Sequence, residues 1–423
     1  MSCKIEKSKL SGKIVCPSNK SYTHRAIILG SLSEKTSIIK NILQSKDTCA
    51  TIEACKSFGA QIKETGNDIA VEGIKEFMNH SLKIDAQNSG TTIRIAAALA
   101  SLSEAQTVLT GDESLRQRPM QPLLDALESL GAKCSSIEGK PPITVSGINK
   151  GGEINIPGNV SSQFITALLI VAPRTEKGIV LNVEGDLVSK PYIDATINIM
   201  EKFGVKVNII TPYKKYQISP QKYSPSTLTI PTDFSSLALL LSAAVLLSDD
   251  LTLEIRIGDL PQGDEKIIDI LQILGVVVTL NETTITVKSP EKLKGGKFDL
   301  KNTPDLLPPL AILALKTSKP IEIFNVKHAR YKETDRIAIL SKELQKLGIK
   351  VKEKEDGMIL EAPDKSEGAE LNSENDHRLF MAFCIAGMFV GDSTVSNPES
   401  IAISYPNFIS DMNKVGGKIK SNL

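Results

Sequence analysis

Between Lys327 and Arg336 the chain reads KHARYKETDR. Lys327, Arg330, Lys332 and Arg336 surround one carboxylate, Glu333, with Asp335 beside it. A β-rich run, IEIFNV, precedes the cluster and a helical pattern, RIAILSKELQKLG, follows it. The cluster therefore belongs where a strand hands over to a helix N-terminus, whose free N–H groups and dipole favour anions. A carboxylate among that many cations is either part of a surface salt-bridge network or an acid/base group facing an anionic substrate. The stretch by itself leaves both readings open.

Further loops carry the same kinds of residue. Lys20, Ser21 and Arg25 follow one apolar run; Asn88, Gly90, Thr91 and Arg94 follow another; Ser161, Ser162 and Gln163 a third. Asp305 stands in KNTPD, and Asp376, His377 and Arg378 in NSENDHR. Arg116 and Arg118 lie in DESLRQRPM, and Lys190 and Tyr192 in SKPYIDA. A Ser-Ser pair before an apolar helix also serves as an N-cap, and Asn-Ser-Gly as a turn. An Arg in the first turn of a helix opposes the helix dipole. Arg25, Arg94, Arg118, Arg336 and Arg378 all read as such residues. Recurrence at equivalent places fits anion binding better than helix stability. Two carboxylates, Asp305 and Glu333, are left for proton transfer.

The elements that must position these loops repeat. A helix ending in an apolar residue and Gly recurs at Gly59, Gly131, Gly204, Gly275, Gly348 and Gly416, spaced 68 to 73 residues apart. Gly just past a helix is the usual C-terminal cap. Two short alternating runs follow five of these glycines and read as hairpins. Upstream of each cap lie a short strand, a polar loop, an apolar helix, a second strand and a second loop. The repeat is strand–helix–strand–helix–hairpin, and six copies over 423 residues suggest two domains of three. The fourth copy begins at PTDFSS, a loop without a cation that reads as structural, so the boundary falls near Ile230. The first helices, at 93–102, 164–172, 237–247 and 379–390, are apolar nearly all round and should be buried, with sheets outside them.

Composition narrows the function. Lys and Arg total 50 against 49 Asp and Glu, a net charge of +1, so a cationic site must come from local placement. Trp is absent and aromatics make up 4%, which argues against a nucleic-acid stacking surface. The six cysteines show no CxxC or His-paired spacing, which suits a reducing cytosol. There is no Walker loop, no GxGxxG after a strand and no metal-ligand spacing. No run is long enough to cross a bilayer, and no signal-peptide core opens the sequence. The residues thus describe a cytoplasmic two-domain enzyme, clamping a multiply anionic small substrate with Arg and Lys.

Taken in order, PSNKSYTHRA, NSGTT-R, RQRPM-PLLDAL, SSQFITALL, SKPYIDATINIM, TPDLLP, KETDR and NDHR resemble the EPSP synthase family of enolpyruvyl transferases over essentially the whole chain. The resemblance implies an inside-out α/β barrel of two domains, each of three βαβαββ repeats. One domain would be 13–230 and the other 1–12 with 231–423, with the active site in the cleft between them. It implies transfer of the enolpyruvyl group of phosphoenolpyruvate to the 5-hydroxyl of shikimate 3-phosphate, in the pathway to the aromatic amino acids. Shikimate 3-phosphate would meet Lys20, Ser21, Arg25, Ser161, Ser162, Gln163, Ser189, Tyr192, Asp305 and Lys332. Phosphoenolpyruvate would meet Lys20, Gly90, Arg118, Gln163, Arg336 and Arg378. Asp305, Glu333 and Lys20 would be catalytic. No metal or organic cofactor, nucleic acid or membrane is implied, and a monomer is expected.

Two positions depart from the family's pattern. Ile403 stands where many members carry Lys, and His328 where Asn is common. UDP-N-acetylglucosamine enolpyruvyl transferase, of the same fold, would want a reactive Cys in the DESLRQRPM region, which has none. An RNA 3′-phosphate cyclase-like enzyme would need a nucleophilic His, for which His377 is the candidate.

Overall fold

The computed structural model describes residues 1–421 and divides the chain into two compact units. One comprises Met1–Pro17, Pro231–Ile257 and everything from Gly263 onward; the other comprises Ser18–Ile230 with Gly258–Gln262. The described residues form six four-stranded sheets. In a representative repeat, strand Gly152–Pro157 runs parallel to Ile179–Glu184, which pairs antiparallel with Lys215–Ile218, itself paired with Asn208–Thr211. Helices Ser162–Val171 and Pro191–Lys202 make the two crossovers of that repeat. This is the strand–helix–strand–helix–hairpin order read from the sequence. The six capping glycines have φ between +82° and +110°, the left-handed region in which a Cβ is costly.

The first strands of the first and fourth repeats are exchanged. Strand Leu10–Val15 precedes helix Lys20–Leu32, yet pairs in parallel with Ser248–Glu254 of the fourth repeat. Strand Thr227–Thr229 precedes helix Phe234–Leu247, yet pairs in parallel with Ser37–Lys40 of the first. The expected boundary at residue 13 therefore cuts through a strand: residues 13–17 go with the unit that begins at Met1. Residues 258–262 depart in the other direction, with Tyr22 donating its hydroxyl to the Pro261 carbonyl at 2.7 Å. Partner choice is non-local, so neither departure leaves a local mark. In the sixth repeat, strand Ser2–Ile5 takes the place between Ser393–Ser396 and Ile419–Ser421, antiparallel to both.

The first helices fill the cores. Every residue of Phe234–Leu247 is buried, as are nearly all of Gly90–Ala100, Ser162–Val171 and His377–Val390. Each unit has its own hydrophobic cluster around them. These helices begin two or three residues before the apolar runs do, because a polar side chain caps each. Asn19, Ser89, Ser161, Asp233 and Asp376 accept backbone N–H groups of the first turn. The fifth repeat differs: a 3-10 turn, Pro304–Leu306, leads into Leu307–Ile312 and carries Asp305. Among the described residues, no helix is long and apolar enough to cross a membrane.

Candidate active site

In the unit holding KETDR, the cluster splits into an outer and an inner half. Lys327 is exposed and pairs with Glu355. Arg330 spans the neighbouring hairpin, reaching Asp335 at 2.7 Å and Glu353 at 2.8 Å. Asp335 caps helix Arg336–Lys346 through the Ala338 N–H. These are the bland salt bridges and caps. Lys332, Glu333 and Arg336 turn the other way.

Arg336 is 1% exposed and holds three carboxylates. Its Nε donates to Asp376 Oδ2 at 2.7 Å, its Nη1 to Asp305 Oδ1 at 2.8 Å and its Nη2 to Glu333 Oε2 at 2.6 Å. Burial disfavours its charge, but Asp376, Glu333 and Asp305 outweigh that and hold the proton more tightly than in an ordinary arginine. Asp376 also caps its own helix, accepting from the Arg378 N–H at 2.9 Å. Asp305 receives Arg378 Nη2 at 3.3 Å and has Lys332 Nζ at 3.6 Å. Burial raises its proton affinity, but Arg378, Lys332 and Arg336 together drive it well below the carboxylate range. Asp305 is therefore ionised at rest. His328 lies buried beside this group; burial first, and then the Lys332 charge, lower its pKa to about 4, with Asp305 opposing. Its imidazole is neutral at neutral pH.

The other unit gathers the remaining loops. Lys20, the first residue of its helix, meets Asp47 at 2.9 Å. Arg25 is 2% exposed, with Nε on Thr196 Oγ1 at 2.9 Å and Nη1 on the Ser21 carbonyl at 3.0 Å. Its Nη2 approaches the Tyr192 carbonyl at 3.3 Å, and burial lowers its pKa to about 10, still cationic at neutral pH. Arg94 hydrogen-bonds Gln163 and sits over the Phe164 ring, 5.2 Å from its centre. Gln163 reaches on to Thr91 at 3.1 Å. Arg118 donates to Asn88 Oδ1 at 2.9 Å, and Asn88 to Asp112 at 2.8 Å. Gly90 opens helix Gly90–Ala100 at the centre of this group, without a positive φ. A Cβ built on it would come 2.6 Å from Arg94 Nη1, 3.1 Å from Arg118 Nη1 and 3.4 Å from Gln163 Oε1. Ser161 is a cap, accepting from the Gln163 N–H at 3.2 Å, and Ser162 is the buried first residue of that helix. Ser189 has φ +56° and offers its carbonyl to the Tyr192 N–H at 3.1 Å.

The structure thus brings Asp305, Lys332, Glu333, Arg336 and Arg378 together in one unit. In the other it joins Gly90, Arg118 and Gln163, and separately ties Arg25 to Ser21 and Tyr192. The expected first-turn arginines need correction. Arg336 and Arg378 are the first and second residues of their helices, but Arg25 and Arg94 fall in the second turn and Arg118 precedes helix Gln121–Ser129. Their burial among polar partners, rather than a dipole conflict, is what distinguishes them. Sequence reasoning passed over Asp47, the partner of Lys20, and Asp264. It also set aside PTDFSS, whose Ser235 hydroxyl hydrogen-bonds the Asp264 carboxyl. Ile403 closes a 3-10 turn, Pro398–Ile403, and is buried.

Six βαβαββ repeats in two units, with buried guanidinium groups near the starts of their helices, define an α/β protein equipped to hold anions. The structure of EPSP synthase from Acinetobacter baumannii is similar with a TM-score of 0.81, at 25% identity over 99% of each chain. The family model for EPSP synthase (3-phosphoshikimate 1-carboxyvinyltransferase) matches residues 5–412. A 3-phosphoshikimate 1-carboxyvinyltransferase of Nitrosopumilus maritimus is 63% identical, over 99% of this chain and 100% of that one. One from Methanosarcina acetivorans is 43% identical over 99% of both. This chain belongs to the EPSP synthase family.

Proposed function

We infer that the chain performs the family's reaction and that the buried Asp305 group is its proton-transfer centre. It is an enzyme that transfers the carboxyvinyl (enolpyruvyl) group of phosphoenolpyruvate to shikimate 3-phosphate, releasing phosphate. The observation that carries the assignment is the full-length identity to curated relatives of that activity.

The assignment of residues is our proposal and rests on geometry. The acceptor hydroxyl adds to C2 of phosphoenolpyruvate while C3 gains a proton; phosphate then leaves as the methyl group returns a proton. One group must take a proton from oxygen, and one must exchange a proton with carbon. Asp305, which is ionised and flanked by Lys332 and Arg378, is the group we assign to take the hydroxyl proton. Glu333, held by Arg336 in the same cluster, is the second proton-transfer group. Arg118 and Arg378, with Lys20 and the bare backbone at Gly90, receive the donor's phosphate and carboxylate. Arg336 is saturated by carboxylates here, so its first role is to hold Asp305, Glu333 and Asp376 in place. It reaches the donor directly only where one of them yields. Ser21, Arg25, Ser161, Ser162, Gln163, Ser189 and Tyr192, with Asp305 and Lys332, take shikimate 3-phosphate. One reaction needs both loop sets, so we propose that the two units act on the same pair of substrates.

The test is phosphate release from phosphoenolpyruvate, with shikimate 3-phosphate or UDP-N-acetylglucosamine as acceptor. Release with the first alone is expected. Release with the second alone would overturn the reading.

A further inference from the structure

Asp264 is a buried acid to which nothing above assigns work. It sits in the turn Gly263–Lys266, between the second strand and second helix of the fourth repeat, and is 5% exposed. Its Oδ2 accepts the Ser235 hydroxyl. Its Oδ1 is buried and has no hydrogen-bond partner among the described residues. Ser235 is itself placed by the cap of its helix, where Asp233 accepts the Ser235 N–H at 3.1 Å. The charges that face Asp264 are Asp305, from the turn Pro304–Leu306; Arg378, from the start of helix His377–Val390; and Asp233.

A buried carboxylate with an unsatisfied oxygen is expensive, and the usual escape is to bind a proton. Here the escape is reinforced. Asp305 and Asp233 both face it, and Arg336, which holds Asp305, is already bound by three carboxylates. Arg378, 3.3 Å from Asp305, is the cation that also faces Asp264, so an ionised Asp264 would compete with Asp305 for it.

We propose that Asp264 is a positioning residue for Arg378: as a carboxylic acid it leaves that guanidinium to Asp305 and to an anionic substrate, and as a carboxylate it competes for it. Burial, followed by repulsion from Asp305, raises the Asp264 pKa to about 7, against the Ser235 hydrogen bond and the Arg378 charge, which favour the ionised form. The changeover therefore falls in the working range. The proposal rests on the reading in which Arg378 binds phosphoenolpyruvate, and it makes donor binding, not acceptor binding, the pH-sensitive step.

The experiment measures KM for each substrate on both sides of neutrality in the parent, Asp264→Asn and Ser235→Ala. In the parent, KM for phosphoenolpyruvate should rise above neutrality, by at most about tenfold per pH unit for a single ionising group. KM for shikimate 3-phosphate should change much less. Asp264→Asn, which cannot ionise, should flatten the rise. Ser235→Ala removes a bond that favours the carboxylate and should move the rise to higher pH. Infrared difference spectra between the parent and Asp264→Asn supply a readout without turnover: a protonated carboxyl band that disappears as pH rises through neutrality. A rise of equal size and position in all three proteins, or a carboxyl already ionised on the acid side, overturns the proposal. Failure of the donor-site reading would show separately, as an unchanged KM for phosphoenolpyruvate in Arg378→Lys.

Discussion

Arg336 Nη1 and Asp305 Oδ1 stand 2.8 Å apart, with both residues buried and neither side chain more than 11% exposed. The same guanidinium reaches Glu333 and Asp376. One cation therefore fixes three acids drawn from three loops. Removing one partner of a buried ionic group typically costs about 3–5 kcal/mol, because the remaining charges lose their compensation. Arg336→Ala should lose that order of stability in urea titration, along with activity. Arg336→Lys should recover only part of it, since a point charge cannot serve three carboxylates as a planar fork does. Full stability in Arg336→Lys would mean that the fork geometry is dispensable.

Asp305→Ala and Glu333→Ala test the proton-transfer pair. Each should lose roughly 10²–10⁴ in kcat, the usual worth of a placed acid or base. Shikimate 3-phosphate should still bind, because Arg25 and the serine loops are untouched. Calorimetry of the acceptor beside single-turnover phosphate release separates the two effects. Near-normal turnover in either variant would remove that residue from the mechanism.

The sequence carried most of the architecture because the repeat is written in local signals. The six capping glycines all fell in left-handed conformations, and the apolar helices all lie in the cores. What it could not carry was pairing between distant strands. Leu10–Val15 and Thr227–Thr229 look like ordinary first strands, and their exchange depends on partners about 240 and 190 residues away. The site was legible where several charged residues cluster within a few positions, as in KETDR and NDHR. Even there, sequence could not say that Lys327 and Arg330 serve the surface while Arg336 faces inward. Asp47 and Asp264 were missed for another reason. Each is a single acid in an unremarkable stretch, and only the fold brings it to Lys20 or to Asp305 and Arg378.

His328 makes a prediction about acid stability. Burial lowers its pKa to about 4, from an ordinary value near 6.5. The unfolded chain therefore binds a proton in that window that the folded chain refuses. The corresponding stability is fully present above 6.5 and is lost as pH falls toward 4, by up to about 3 kcal/mol for that shift. His328→Gln cannot take up that proton. Its melting temperature should fall less than the parent's between neutral and mildly acid pH. Parallel losses in the two proteins would show that His328 is protonated in the folded state after all.

Gly90 decides how close a ligand can come to the backbone at the start of its helix. Two reasons for a glycine were open: a positive φ, or close approach. The first is excluded, because Gly90 is not among the positive-φ glycines. The added Cβ meets only the far ends of side chains, chiefly Arg94 Nη1 at 2.6 Å and Arg118 Nη1 at 3.1 Å, and these can move. Gly90→Ala should therefore keep its melting temperature but push Arg94 and Arg118 out of place. In the proposed site Arg118 receives phosphoenolpyruvate, so KM for the donor should rise. Glyphosate, the family's donor-site inhibitor, is longer than the donor and should lose affinity by a larger factor. Ile403, in place of a Lys common in the family, should already make the parent less sensitive than members that carry it. The measurement is the ratio of glyphosate Ki to donor KM in parent and Gly90→Ala. An unchanged ratio with an unchanged KM would mean that Gly90 and Arg118 do not serve the donor. A large loss of melting temperature would mean that the helix start cannot yield as the geometry indicates.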